Sequence, residues 1–259
     1  MSEKLLTIVI PVHNHWEYTK RCLGSIYFSD NIISKIDILV VDNASMDETE
    51  DFLNFQIASG YPIRVIKNPK NLDYLLAANQ GWREVKTPYC LHLNNDVVVE
   101  PSCIKNMLDA FEKNPKIGIV GGIQFSPTAT FGKTLFHRGE DVDNHEDLRY
   151  VVPMTEEERN SPFVEVETTG FCCAMVKRGV WEKVGYYDER FAPAMSEQED
   201  YCLRAKEAGF KVAVVPKAFY IHYVGVSTVD NRSYYQEVLK VNREKFLKKW
   251  GEKLRKDLI

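Results

Sequence analysis

The chain has 259 residues, of which 44% are hydrophobic and 12% aromatic, enough for one large α/β domain with a sizeable core. Lys and Arg number 33 against 37 Asp and Glu, and the resulting charge of −4 excludes a protein whose main business is coating nucleic acid. With only 14 Gly and 11 Pro, the chain is neither collagen-like nor disordered. The six cysteines (Cys22, Cys90, Cys103, Cys172, Cys173 and Cys202) form no CxxC pair and are expected as free thiols of a reducing compartment. The opening MSEKLLTIVIPVHN is too short in apolar residues for a signal peptide, and no window approaches ~18 uninterrupted apolar residues. The expectation is a soluble, cytoplasmic chain.

In chain order, LLTIVIPV (5–12) reads as a strand buried on both faces, followed by a helix carrying Trp16, Leu23, Ile26 and Tyr27. IDILVVD (36–42) is a second strand, and 47–58 a helix with an acidic first turn. Then come the strand PIRVIKN (62–68), a helix over 72–85 and the strand YCLHLN (89–94). Pro101 opens a helix to about Asn114, and IGIVGG starts a fifth strand. Apolar strands alternating with helices predict a mostly parallel central sheet with helices on both faces.

From Phe125 to Glu165 the periodicity stops, and a stretch this long suits a functional lid or a disordered linker. Beyond it, VEVETTGFCCAMVKR reads as a strand, 179–184 as a helix, and YYDERFAPAM as a loop before a helix starting at Ser196. VAVVP and FYIHYV are expected as two further strands. From about Tyr234 one long helix predicts an apolar stripe of Val238, Val241, Phe246, Leu247 and Trp250. From Glu237 onward that helix carries eight cations against four anions, which fits a solvated face or peripheral contact with an anionic membrane surface.

In an open parallel sheet, ligands bind beyond the carboxyl ends of the strands. The residues following the first four strands are His13-Asn14, Asp42-Asn43, then Asn68, Asn71 and Asp73, and finally Asn94-Asn95-Asp96. Four successive strands thus deliver Asn and Asp to one edge. Neither GxGxxG nor GxxxxGK[ST] is present, which disfavours dinucleotide binding and a P-loop. A diphosphate then needs another counter-charge, and an oxygen ligand such as Asp96 suits Mg²⁺ or Mn²⁺. These residues point to a metal-bridged nucleoside diphosphate, with Asp42 as a fixed acceptor for a base or ribose edge.

At TIVIPVHN, VVDNASMDET, LNND, TTGFCCAMVKRGVWEKVGYYDERF, EDYCLRAKEAGFKVAVVP and IHYVGVS, the chain resembles family 2 glycosyltransferases of the GT-A fold, in particular their bacterial rhamnosyltransferase-like branch. The resemblance runs in order over roughly residues 5–225. It implies one domain over 1–225, with 1–124 as the nucleotide half and 125–225 as the acceptor half, and 226–259 as a basic amphipathic helix. It further implies that Pro11, His13, Asn14, Asp42, Asn71, Asp73, Asn94 and Asn95 line the nucleotide and diphosphate site. Asp96 and His222 would be the metal ligands. The implied donor is a UDP- or dTDP-sugar, and the acceptor a glycan or lipid-linked glycan of the bacterial surface. The implied reaction is an inverting sugar transfer.

Two positions depart from the family pattern. Asn71-Leu72-Asp73-Tyr74 stands where Asn-x-Gly-Phe is common, so Asp73 replaces a Gly. Glu197-Gln198-Glu199-Asp200 puts Gln198 at the usual base position, and a glutamine cannot accept the proton. The expectation passes the base to Asp200, with Glu199 and then Glu197 as substitutes. A purely structural role for Glu199 is also open, because Ser196-x-x-Glu199 has the form of a capping box. A nucleotidyltransferase and a non-catalytic nucleotide-sugar-binding module are the alternatives.

Overall fold

The structure, a computed structural model, describes residues 4–29, 32–125, 154–223, 226 and 232–256. The lid or linker expected within 125–165 falls mostly on 126–153 and lies outside the described residues, as does the end of the segment IHYVGVS.

β1 (Leu6–Val12), β2 (Ile36–Asp42), β3 (Ile63–Lys67) and β4 (Tyr89–Leu93) follow one another in parallel, interleaved with α1 (Trp16–Tyr27), α2 (Thr49–Ala58) and α3 (Asp73–Arg83). Val12 pairs with Asp42 and Asp42 with Lys67, so the carboxyl ends of β1, β2 and β3 are level. After β4 come β5 (Val97–Val99), α4 (Cys103–Lys113), β6 (Ile117–Phe125), α5 (Glu156–Asn160), β7 (Val164–Glu165) and β8 (Cys173–Lys177). α6 (Arg178–Val184), α7 (Glu197–Glu207), β9 (Lys211–His222) and α8 (Arg232–Lys256) complete the described chain. The sheet order is β3-β2-β1-β4-β8-β6-β9-β5, with β7 added to β9. β6 and β9 run parallel to each other, whereas β8, β5 and β7 are antiparallel to their neighbours. The expected α/β class and mostly parallel sheet are therefore what the chain forms.

Alternate residues of β1 serve opposite faces. Ile8 and Ile10 pack with Leu23, Ile26, Ile104 and Met107 of α1 and α4 on one side. Val9 packs with Leu75, Ala78 and Trp82 of α3 on the other, where Val180, Tyr201, Phe246 and Trp250 of α6, α7 and α8 extend the same core. A strand buried on both faces needs apolar side chains at every position, which is why the run carries no polar alternation.

Three expectations are corrected. VAVVP and FYIHYV form one strand, β9, with a register shift against β6 between Gly121 and Ile123. Pro216 lies in that irregular stretch; lacking an N–H, it interrupts the ladder and the strand bulges through it instead of ending. β5 was not expected, and it matters: Val97 pairs with His222. On α8 the buried residues are Asn242, Phe246 and Trp250, spaced by one helical turn, while Val241 is 45% exposed. Three of the helix's cations also have internal partners: Lys245 on the Arg190 carbonyl, Lys249 on Asp188 and Asp200, and Lys253 on Glu207. Among the described residues no helix is long and apolar enough to cross a membrane. All six cysteines are unpaired thiols, as expected.

The seat of α3 on the sheet depends on Gly81. A Cβ there would meet Val9 Cγ1 at 2.5 Å and Val41 Cγ2 at 2.8 Å. Gly81→Ala gains up to about 1 kcal/mol of helix propensity but overpacks the α3–sheet contact by about 1–3 kcal/mol. The overpacking prevails, and the urea midpoint of the variant is expected to fall.

Candidate functional site

Six described non-glycine residues have positive φ: Asn14, His15, Ala44, Asp73, Met195 and Ser196. The first four follow β1, β2 and β3 at the carboxyl edge. The last two sit in the loop entering α7, which reaches the same edge through the amide of Leu75 donating to the Pro193 carbonyl (3.0 Å). Each such residue costs about 1–3 kcal/mol and persists where its surroundings over-determine it. Asp73 (φ 65) adopts the conformation a Gly would take, which resolves how this chain accommodates that departure.

The surroundings are a hydrogen-bond network centred on Asn43, which is 3% exposed. Its Nδ2 donates to Asn71 Oδ1 (2.8 Å) and the Asp73 carbonyl (3.2 Å), and its Oδ1 accepts from Asn68 Nδ2 (3.1 Å) and the Leu72 amide (2.9 Å). His13 Nδ1 lies 3.0 Å from the Asn43 carbonyl, and Asn14 Oδ1 accepts from the Met46 amide (2.7 Å). Asp42 Oδ1 accepts from the Ser45 amide (2.9 Å). Of the expected nucleotide residues, His13, Asn14, Asp42, Asn71 and Asp73 are thus gathered at one edge. Pro11 is a buried strand residue in register with Val41. Asn95 points away: it lies in the tight turn closed by the Val97 amide on the Asn94 carbonyl, and its Nδ2 donates to Thr19 Oγ1 of α1 (3.2 Å).

The outer residues of LNND face the site. Asn94 Oδ1 accepts from the Tyr74 hydroxyl (3.1 Å). Asp96 is 8% exposed, and its Oδ1 lies 3.1 Å from His222 Nε2 without a hydrogen bond of good geometry. The β5–β9 pairing makes this meeting of distant residues. Burial opposes charge on His222, but Cys172 and the Asp96 carboxylate outweigh it and raise the imidazole to about 10. An under-satisfied carboxylate oxygen beside an imidazole nitrogen is a donor pair that suits Mn²⁺ or Mg²⁺ once the cation displaces the imidazole proton, because only the neutral ring ligates a metal. Among the described residues no group of three His, Cys, Asp or Glu is arranged to hold a metal, so diphosphate oxygens and water would have to supply the remaining ligands.

The acidic segment divides its tasks differently from the expectation. Asp200 is fully buried and turned toward α8. Its Oδ2 takes Arg204 Nε (2.8 Å), and its Oδ1 takes Trp250 Nε1 (2.8 Å) and Lys249 Nζ (2.6 Å). A carboxylate bound by two cations and an indole anchors α7 to α8. Gln198 is also structural, its Oε1 accepting from the Phe171 amide (3.0 Å). Ser196 makes no capping bond from its side chain, so the Ser196–Glu199 capping box does not form. Glu197 is 6% exposed with Oε2 unpartnered, and Glu199 Oε2 is likewise unpartnered. Burial, reinforced by Glu199, pushes the Glu197 carboxyl up to about 8, although the amides of Glu197 and Met195 partly offset this.

Tyr74, which sequence reasoning did not select, joins the two groups. Burial raises its phenol well above the ordinary value, and Glu197, Cys172 and Asp96 add to the effect because their charges face the hydroxyl. Its one sequence signal was a Tyr where the family often has Phe.

The mixed α/β architecture that carries this carboxyl edge matches glycosyltransferase structures of the GT-A fold. Residues 7–185 match the model of Glycosyl transferase family 2, and the chain belongs to that family. α7, β9 and α8 follow the matched segment. The chain is 22% identical over 236 residues to the uncharacterized protein y4gI of Sinorhizobium fredii, covering 86% of this chain and 25% of that protein. It is 21% identical over 117 residues to poly-beta-1,6-N-acetyl-D-glucosamine synthase of Staphylococcus epidermidis, covering 45% of this chain and 28% of that one. It therefore spans about a quarter of the length of these curated relatives. Among solved structures it is similar to the mannosyltransferase PcManGT from Pyrobaculum calidifontis, in complex with GDP-Man and Mn²⁺. The TM-score is 0.66 at 15% identity, covering 88% of this chain and 59% of that one.

The two carboxylates of α7 are expected to respond oppositely to neutralisation. Asp200→Asn strips Arg204 and Lys249 of their buried counter-charge and is expected to cost about 3–5 kcal/mol, read as a lower urea midpoint. Glu197 has the opposite sign. Its folded value of about 8 exceeds the ordinary 4.5, so the unfolded chain ionises first and stability falls as pH rises through that window. Glu197→Gln is expected to raise the urea midpoint at pH 8 and flatten its dependence between pH 5 and 8, with roughly no gain at pH 4.

Proposed function

We propose that this chain is a divalent-metal-dependent, inverting glycosyltransferase with Glu197 as its general base. The observation that carries the reading is the buried Glu197, whose Oε2 has no hydrogen-bond partner, on the first turn of a helix whose entry loop is bonded at Pro193 to Leu75 beside the edge that holds Asp96 and His222. Family membership supplies the reaction class. We read 1–124 as the nucleotide half and 125–225 as the acceptor half.

Asp42, Asn14 and the edge of the Asn43 network bind the base and ribose of a nucleoside diphosphate sugar, with His13, Asn71 and Asp73 at the rim. Asp96 and His222 hold Mg²⁺ or Mn²⁺, which when bound neutralises charge on the leaving nucleoside diphosphate. Asn94, oriented by Tyr74, fixes the diphosphate beside it. The Glu197 carboxylate removes the proton from an acceptor hydroxyl. The freed oxygen bonds to the anomeric carbon from the face opposite the diphosphate, and the bond from that carbon to the diphosphate breaks with its electron pair leaving on the nucleotide. A base with a value near 8 is well matched to this task at neutral pH. The acceptor is a glycan or lipid-linked glycan. The rhamnosyl-type donor, UDP- or dTDP-linked, rests on the sequence resemblance, and GDP enters because the mannosyltransferase PcManGT is in complex with GDP-Man.

Calorimetric titration with UDP, dTDP and GDP, each with and without Mn²⁺, tests the site. One nucleotide is expected to bind in the micromolar range with Mn²⁺, and to weaken at least about tenfold without it or in Asp96→Ala, a loss of about 1.4 kcal/mol. Affinity indifferent to both changes would remove the metal from the mechanism.

A further inference from the structure

The loop between the short 3-10 turn at Glu189–Phe191 and α7 holds two adjacent non-glycine residues in the left-handed region, Met195 (φ 77) and Ser196 (φ 68). Left-handed pairs of this kind do not hold themselves; neighbouring structure must impose them. Ser196 contributes no side-chain cap. Two outside contacts impose the conformation. On the side of α3, the Leu75 amide donates to the Pro193 carbonyl (3.0 Å). On the side of α8, Asn242, 1% exposed, donates from Nδ2 to both the Phe191 carbonyl (2.7 Å) and the Ala194 carbonyl (2.7 Å). Lys245 Nζ braces the same contact, donating to Asn242 Oδ1 (2.8 Å) and to the Arg190 carbonyl (2.8 Å). The next residue along the chain is Glu197.

We propose that Asn242 is a positioning residue for Glu197: its amide locks residues 191–196 in the left-handed turn that aims the Glu197 carboxylate into the site. The inference rests on the reading of Glu197 as general base. It gives α8, which lies beyond the family-matched segment, a direct part in organising the reaction centre, where its basic composition alone pointed to a solvated face. The turn also sets the proton affinity of Glu197, because the Met195 amide is one of the two backbone donors that act on that carboxylate. The other groups facing Glu197 are Glu199 on its own helix, Tyr74 on α3 and Tyr187 in the loop after α6, while Arg243 of α8 faces Glu199. Asn242→Ala alters none of these groups, so a changed titration reports the turn.

The test uses the full chain with ¹³C-carboxyl-labelled glutamate, and Glu197→Gln identifies the Glu197 resonance. In Asn242→Ala the Glu197 titration midpoint is expected to fall by at least about one pH unit, because water reaching a loosened turn relieves the burial that chiefly raises it and outweighs the loss of the Met195 amide. Amide hydrogen exchange over 191–197 accelerates at least about tenfold. The kcat for nucleoside diphosphate release falls about tenfold while the KM for the donor stays within about twofold, because the nucleotide cradle is on the other strands. Lys245→Met, which changes an exposed side chain, shifts the same readouts in the same direction at about threefold; should Asn242→Ala lose its fold, this variant decides alone. A wild-type titration and wild-type exchange in the folded variants overturn the proposal. If Glu197→Gln keeps its turnover, the base assignment fails instead, and the titration and exchange still judge the clamp.

Discussion

The site depends on the side chain of Asn43 being buried with its hydrogen-bonding capacity filled. Its amide makes four bonds, two given and two received, which is the capacity of the group apart from water. Those bonds tie the end of β2 to the loop after β3 and to the start of α3, while the Asn43 carbonyl holds His13 after β1. The level carboxyl ends of three parallel strands give the network its geometry. The network in turn holds Asn14, His15, Ala44 and Asp73 in a conformation that isolated chains avoid. The loops at this edge are tied together by one saturated amide.

A second constraint comes from the antiparallel additions to the sheet. β5 has only three residues, yet its pairing with the end of β9 sets Asp96 against His222. Neither residue has a strong chemical identity alone. Together, with one carboxylate oxygen under-satisfied, they form a donor pair that a divalent cation would complete. Tyr74 adds to this corner by donating its hydroxyl to Asn94, two residues before Asp96.

Glu197 and Asp200 show how environment assigns chemistry. They lie on the first turn of one helix with the same functional group. Asp200 faces α8 and receives Arg204, Trp250 and Lys249, so its charge is neutralised and it binds two helices together. Glu197 faces the site and keeps an unpartnered oxygen, so burial raises its affinity for a proton. A pair of carboxylates driven apart by their surroundings is a general route to one structural ion and one base.

The sequence by itself determined the alternating strands and helices, the mostly parallel sheet, and the concentration of Asn and Asp beyond four strands. These follow from local periodicity and from the rule that parallel strands present their carboxyl ends together. It also marked Asp96 and His222, through a resemblance spanning most of the chain. Tertiary structure decided what depends on direction and burial: that Asn95 turns into the core, that VAVVP and FYIHYV are one bulged strand, and that Val241 of α8 faces solvent while Asn242 is buried. It also gave the two carboxylates of α7 different surroundings. The motif alignment placed Asp200 first once Gln198 occupied the usual base position, and nothing in a linear sequence shows that Arg204, Lys249 and Trp250 converge on Asp200. Proton affinity is set by the charges and water around a group, and those neighbours are brought together only by the fold.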